Sequence, residues 1–86
     1  MANHKSAEKR NRQNIKRRER NTHYKSTVRN RIKALREAIE SGDKAKAGEL
    51  LPQTIRQIDR VASKGILPKR RASRMASRLT KAVNRI

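Results

Sequence analysis

The chain contains no cysteine, no tryptophan and no phenylalanine, and tyrosine occurs once in 86 residues. Without cysteine, neither a disulfide nor a cysteine-ligated zinc site can supply stability. With a single aromatic ring, an aromatic platform for unstacked bases is out of reach, because such platforms need several exposed rings. Acids are scarce as well: 7 Asp and Glu stand against 25 Lys and Arg, a formal net charge of +18. No apolar run approaches the length of about 18 residues needed to span a bilayer. The opening MANHKSAEKR lacks the apolar stretch of roughly 7–15 residues that marks a secretory signal. An organellar transit peptide is disfavoured by Glu8 and Glu19 and by the missing apolar face of the first 23 residues. Residence in the cytoplasm is the expectation.

What is present is charge, and it is sorted along the chain. Residues 1–36 carry +11, residues 37–68 are neutral, and residues 69–86 carry +7 without a single acid. Such a charge destabilises a compact state by self-repulsion, which an anionic polymer relieves when its condensed counterions are released. Nucleic acid is therefore the expected partner, met by two basic elements held apart by a neutral middle.

Residues 1–23 hold Lys5, Lys9, Arg10, Arg12, Lys16, Arg17, Arg18 and Arg20, with Ile15 the one sizeable aliphatic residue beyond Met1. At helical spacing these cations point in every direction, so the segment has no face to bury against protein. Asn11, Asn14 and Asn21 weaken its helix propensity, and like charges at Lys5/Lys9 and Lys16/Arg20 repel. The segment is expected to be disordered or fraying alone and helical once phosphates neutralise it. From Tyr24 a stripe begins: Tyr24, Val28, Ile32, Leu35 and Ile39 share one face of a helix. No glycine or proline precedes Gly42, so the stripe and the basic segment can form one rod.

Ser41-Gly42-Asp43 reads as a break, with Gly42 left-handed and Asp43 as the next cap. The second helix offers Ala47, Leu51, Ile55, Ile58 and Ala62, flanked by Leu50 and Val61, with Pro52 kinking rather than ending it near Gly48. Gly65 closes this helix, Ile66 and Leu67 connect, and Pro68 suits the first turn of the third. There Ala72, Met75, Ala76, Leu79, Ala82, Val83 and Ile86 form one side, while Lys69, Arg70, Arg71, Arg74, Arg78, Lys81 and Arg85 occupy the others. The fold predicted is all-α: a three-helix bundle over residues 24–86, neighbours roughly antiparallel, with residues 1–23 as a long basic N-terminal helical extension. Its core is thin and aliphatic, so stability without a partner is marginal.

Zinc-finger spacing, an RNP-like aromatic strand and a GXXG loop are all absent. What remains is phosphate neutralisation by Lys/Arg rods, with Asn and Gln reaching sugar hydroxyls or base edges. A protein with two charged poles suits structured RNA, whose packed helices bring phosphates close together, although charge alone separates RNA from DNA weakly. Two other classes compete. A DNA-coating protein would bind any duplex equally well; a membrane-active cationic protein would need an apolar face where the charge is strongest, and residues 1–23 lack one.

Catalysis has no constellation: no Ser/His or Cys/His pair is tied to an orienting carboxylate. His4 and His23 lie 19 residues apart with no carboxylate pair at ligand spacing, so neither a metal nor a cofactor is expected. Tyr24 reads either as an edge of the core or as a residue half-turned toward RNA. Ser6, Ser26, Ser73 and Ser77 read equally as backbone donors to RNA or as ordinary helix surface.

Several runs together resemble a known family. They are Ala2-Asn3-His4-Lys5-Ser6-Ala7-Glu8-Lys9-Arg10, Lys16-Arg17-Arg18-Glu19-Arg20-Asn21, Lys25-Ser26, Gly42-Asp43-Lys44, and the series Asp59-Arg60, Lys64-Gly65-Ile66, Lys69, Ala72, Arg74 and Ser77-Arg78-Leu79. In that order they resemble the bacterial small-subunit ribosomal protein family numbered twenty in the S series, over nearly the whole chain. The resemblance implies a three-helix bundle with an extended first helix that binds 16S-type ribosomal RNA directly, stabilises its folding and acts early in assembly of the small ribosomal subunit. It implies a monomer within the ribosome, other ribosomal proteins as marginal neighbours at most, and no membrane or small-molecule substrate. By resemblance, Asn3, Lys5, Ser6, Lys9, Arg10, Arg12, Lys16, Arg17, Arg18, Arg20 and Asn21 insert among RNA helices. Lys25, Ser26 and Arg29 line the junction of rod and bundle. Lys64, Gly65, Lys69, Arg74, Ser77 and Arg78 form a second contact, which Arg70 and Arg71 extend through their charge. Pro68, Arg70 and Asn30 stand where that family usually has histidine, asparagine and threonine, which favours plain phosphate contact at Arg70.

Overall fold

A computed structural model describes the backbone from Ala2 to Ile86 and the side chains from Lys5 onward. Three helices follow in order: α1 (Ala2–Glu40), α2 (Lys44–Ser63) and α3 (Lys69–Asn84). Helix α2 packs on both α1 and α3. The pairing of residues gives the directions. Tyr24 of α1 lies beside Lys64 at the far end of α2, whereas Lys25 and Ile32 face Leu67 and Met75, and Ile39 faces Leu79 and Ala82. Thus α1 and α3 ascend together and α2 runs against both.

The two turns end in the same way, and glycine makes both possible. After α1, the Gly42 amide donates to the Ile39 carbonyl at 3.1 Å and the Asp43 amide to Ala38 at 3.0 Å. After α2, the Gly65 amide donates to Ala62 at 3.0 Å and the Ile66 amide to Val61 at 3.3 Å. Each is a Schellman motif, which needs a left-handed residue just past the helix; φ is 71° at Gly42 and 77° at Gly65. Asp43 then caps α2, its carboxylate accepting from the Lys46 amide at 3.1 Å. Pro68 differs from its expected place by one position. It is the N-cap of α3, extended at φ −60° and ψ 136°, and its carbonyl accepts from the Ala72 amide at 3.0 Å.

Helix α2 continues through Pro52. A proline there withholds the N–H that would reach the Gly48 carbonyl. Both residues are exposed, so water can satisfy that carbonyl.

Leu35, Ala47, Ile58 and Val61 are completely buried, joined in the core by Val28, Ala38, Ala62, Ala72, Leu79 and Val83. Tyr24, Ile32, Ile39, Leu50, Leu51, Met75 and Ile86 pack at its margin. Two residues outside the expected stripes belong inside. Ala38 is buried on α1, and Thr54 takes the centre of the α2 face, leaving Ile55 half-buried. Thr54 fits because its hydroxyl donates to the Leu50 carbonyl four residues back, at 2.9 Å, so no polar group is stranded.

Residues 5–20 are helical, in continuity with the packed half of α1. Composition alone predicts fraying there, but lengthening an existing helix fixes one residue per added hydrogen bond, whereas starting one costs far more.

Candidate nucleic-acid interface

The rod positions the first group of candidates. Lys5, Ser6, Lys9, Arg10, Arg12, Lys16, Arg17, Arg18, Arg20 and Asn21 are all exposed and all precede the first core residue of α1. Asn3 lies in the helical backbone, but the contact expected of its side chain falls outside the described residues, as does the side chain of His4. One side of the rod is shallowly concave, formed by Ser6, Ala7, Arg10, Asn11 and Asn14. A small residue flanked by amides, a hydroxyl and a guanidinium lets a sugar–phosphate chain approach closely and be hydrogen-bonded. Asn11 and Asn14 were not among the expected contacts; the four- and seven-residue spacing of Ala7, Asn11 and Asn14 was the available signal. Ile15, 49% exposed, is the large apolar side chain left open on this rod.

The second and third groups are brought together by the bundle in a way their chain order does not suggest. Lys25 and Arg29 of α1 share one groove with Arg71 of α3, floored by Val28, Ile32, Leu67 and Met75. Farther along the same seam, Arg36 faces Arg78 across Ile32, Ile39, Met75 and Leu79, with Glu40 at the edge. The two basic blocks therefore meet along the α1–α3 seam instead of being held apart everywhere by the neutral helix. The physical reason is that α1 and α3 run in the same direction with their basic flanks facing. Arg36 lies outside the expected contacts, although it continues the flank of Lys25, Arg29 and Ile32 by four residues.

Lys64 also changes company. Its ammonium sits 5.1 Å from the centroid of the Tyr24 ring, a cation–π arrangement, which sets it against the start of the packed half of α1. Tyr24 itself is half-buried, with His23 edge-on at 5.7 Å between ring centroids. Lys69, Arg70, Arg74 and Ser77 are exposed on α3. At roughly 100° per residue, Arg70, Arg74 and Ser77 turn away from the core face centred on Ala72, Leu79 and Val83.

The hydroxyls divide into two kinds. Thr27, Ser41, Thr54, Ser63 and Thr80 donate to carbonyls three or four residues earlier. Ser26 and Ser77, both exposed, make no such bond among the described residues, so their donors are available to a partner. The same holds for the guanidinium and ammonium groups of the seam: among the described residues, none of Lys25, Arg29, Arg36, Arg71 and Arg78 is ion-paired. The described residues contain no group of three or more His, Asp and Glu that could hold a metal. Among the described residues, no helix is long and apolar enough to cross a membrane.

Comparison with known proteins matches the chain over nearly its whole length. Residues 2–84 match the family model described as Ribosomal protein S20. The chain is 56% identical over 86 residues to "Small ribosomal subunit protein bS20" of Helicobacter pylori strain Shi470, covering 100% of this chain and 97% of that protein. It is 49% identical to the protein of the same description from Wolinella succinogenes, covering 100% and 94%. The counterpart from Trichlorobacter lovleyi is 55% identical over 84 residues, covering 98% and 97%.

Proposed function

The chain belongs to the ribosomal protein S20 family, and on that premise we propose that it binds 16S-type ribosomal RNA directly and stabilises the folded RNA of the small subunit by phosphate neutralisation. The family is one of structural ribosomal proteins, and the chain is not an enzyme. One observation supports the direct RNA contact above all: the cations of the rod and of the α1–α3 seam are exposed, and those of the seam have no acid paired to them among the described residues. Desolvated charge-assisted bonds to phosphate are what such groups can form.

In this reading residues 1–23 act as an RNA-inserting extension and residues 24–86 as the bundle that fixes its angle. Asn3, Lys5, Ser6, Lys9, Arg10, Arg12, Lys16, Arg17, Arg18, Arg20 and Asn21 line an RNA crevice. Lys25, Ser26, Arg29 and Lys64 hold backbone at the foot of the rod. Lys69, Arg70, Arg71, Arg74, Ser77 and Arg78 neutralise phosphates along α3. The protein works in the cytoplasm, as a monomer within the ribosome.

Hydroxyl-radical footprinting on naked small-subunit ribosomal RNA tests this. Discrete, reproducible protections are expected, weakened by pairing Arg74→Gln with Arg78→Gln at about 1–2 kcal/mol per arginine. Equal affinity for an arbitrary DNA duplex, with no protected RNA segment, would overturn it.

A further inference from the structure

Helices α1 and α3 both pack on α2 and only lightly on each other, so the seam between them stays open. It consists of two grooves, of about 370 and 270 Å³, that share Ile32 and Met75 and thus form one trough. Its floor is apolar, made by Val28, Ile32, Ile39, Met75, Leu79 and Ala82. Ile32, Ile39, Met75 and Ala82 are only partly buried, which leaves an apolar strip open to solvent. From Val28 to Ile39 that strip runs about 16 Å along α1, or about three helical turns. The walls are cationic, with Lys25, Arg29 and Arg36 on α1 and Arg71 and Arg78 on α3. Glu40, at one end, is the one acid lining the trough.

Phosphate neutralisation uses the walls and leaves the floor idle, because a sugar–phosphate backbone has no apolar side chains to lay there. A base cannot be stacked in the trough either, since no aromatic ring lines it. What uses floor and walls together is an amphipathic helix whose apolar stripe is bordered on both sides by Asp and Glu. The ends of the trough set its direction. Helices α1 and α3 both finish at the Glu40 end, where their carbonyl dipoles add to the glutamate, and a helix N-terminus carries the opposite partial charge. The incoming helix therefore runs against α1 and α3, in the direction of α2.

We propose that the α1–α3 seam, in the protein that is not yet on RNA, is a docking groove for an acidic amphipathic helix of another protein. The docking stands on the groove alone. One consequence rests on the RNA-binding function set out above: Lys25, Arg29, Arg71 and Arg78 would serve both partners, so the two exclude each other. Such a partner covers the open apolar strip and offsets part of the +18 charge until RNA displaces it.

The test uses the full-length chain and a fluorescein-labelled synthetic helix of about 18 residues, with a leucine stripe bordered by glutamates, followed by fluorescence anisotropy. A peptide of the same charge with its leucines replaced by glutamine should bind at least about tenfold more weakly. Equal affinity of the two peptides would reduce the effect to bulk charge and overturn the groove. Arg36→Gln with Arg78→Gln should weaken the leucine peptide at least about tenfold, whereas Arg56→Gln with Arg60→Gln on α2, which removes as much charge, should not. Equal losses in the two pairs would likewise overturn it. All four arginines are exposed, so both variants keep the fold, which circular dichroism checks. A spin label at the peptide's N-terminus should broaden the NMR signals of Ile39 and Ala82, and one at its C-terminus those of Val28 and Leu67; broadening of neither set would overturn the assigned seam. Naked small-subunit ribosomal RNA should release the peptide. A peptide retained on the RNA-bound protein would overturn the RNA reading of the seam with the groove intact, while absence of peptide binding without RNA would overturn the groove and leave the RNA reading standing.

Discussion

Thr54 is 2% exposed, and its hydroxyl spends its donor on the carbonyl of its own helix. Replacing it by valine removes a bond whose acceptor still receives the backbone amide of residue 54. Thr54→Val should therefore leave urea-unfolding stability within about 1 kcal/mol of the unaltered protein. Leu35→Ala, at a completely buried position between helices, should cost about 2–5 kcal/mol. Measured together, the two separate a core position defined by shape from one defined by polarity. Thr54 was not legible as a core residue because a hydroxyl reads as surface; only the back-bond makes it behave as a small β-branched hydrophobe. The Lys64–Tyr24 pair is a second residue-scale device, joining the end of α2 to the start of the packed part of α1. A double-mutant cycle with Lys64→Gln and Tyr24→Leu should give a coupling of about 0.5–1 kcal/mol. A coupling of zero would return Lys64 to the solvent.

Helix α1 is one element with two different reasons to exist. Its second half is amphipathic and packed; its first half is exposed throughout the described side chains and extends the helix without burying anything. Removing residues 2–20 should leave the bundle folded, with an undiminished helical circular-dichroism signal per remaining residue, and should remove much of the RNA affinity. A collapse of that signal would mean that the extension supports the bundle. The helix ends were legible with their mechanism, because Gly42 and Gly65 stand where a left-handed residue is required and Asp43 where a cap is. Ala38 was less so, since a small apolar residue beside Glu37 carries little weight in a stripe. The place of Pro68 was off by one because a proline's fixed φ suits a cap and a first turn alike.

At the scale of the whole molecule, the sequence carried the class, the helix count and the exposed cations, but not which basic flanks meet. Spacing along a helix gives faces; only packing decides which faces abut, and the shared direction of α1 and α3 brings Arg29 to Arg71 and Arg36 to Arg78. If rod and seam together make about 6–10 phosphate contacts, RNA affinity should fall by roughly 10³–10⁵ between 50 and 200 mM salt. A slope of log affinity against log salt shallower than about −3 would contradict the electrostatic account. The molecule measures 63 × 21 × 14 Å, while charges in physiological salt are screened beyond about 8 Å. The far end of the rod and the bundle are thus electrostatically deaf to one another, and only the stiffness of an uninterrupted helix links them. On the RNA-binding function proposed above, the protein would be a bivalent ligand with a rigid linker: once either end is seated, the other is presented at a fixed distance and a high effective concentration. Affinity would then measure how well the RNA has already folded to that distance, and the chain would act as a ruler for it.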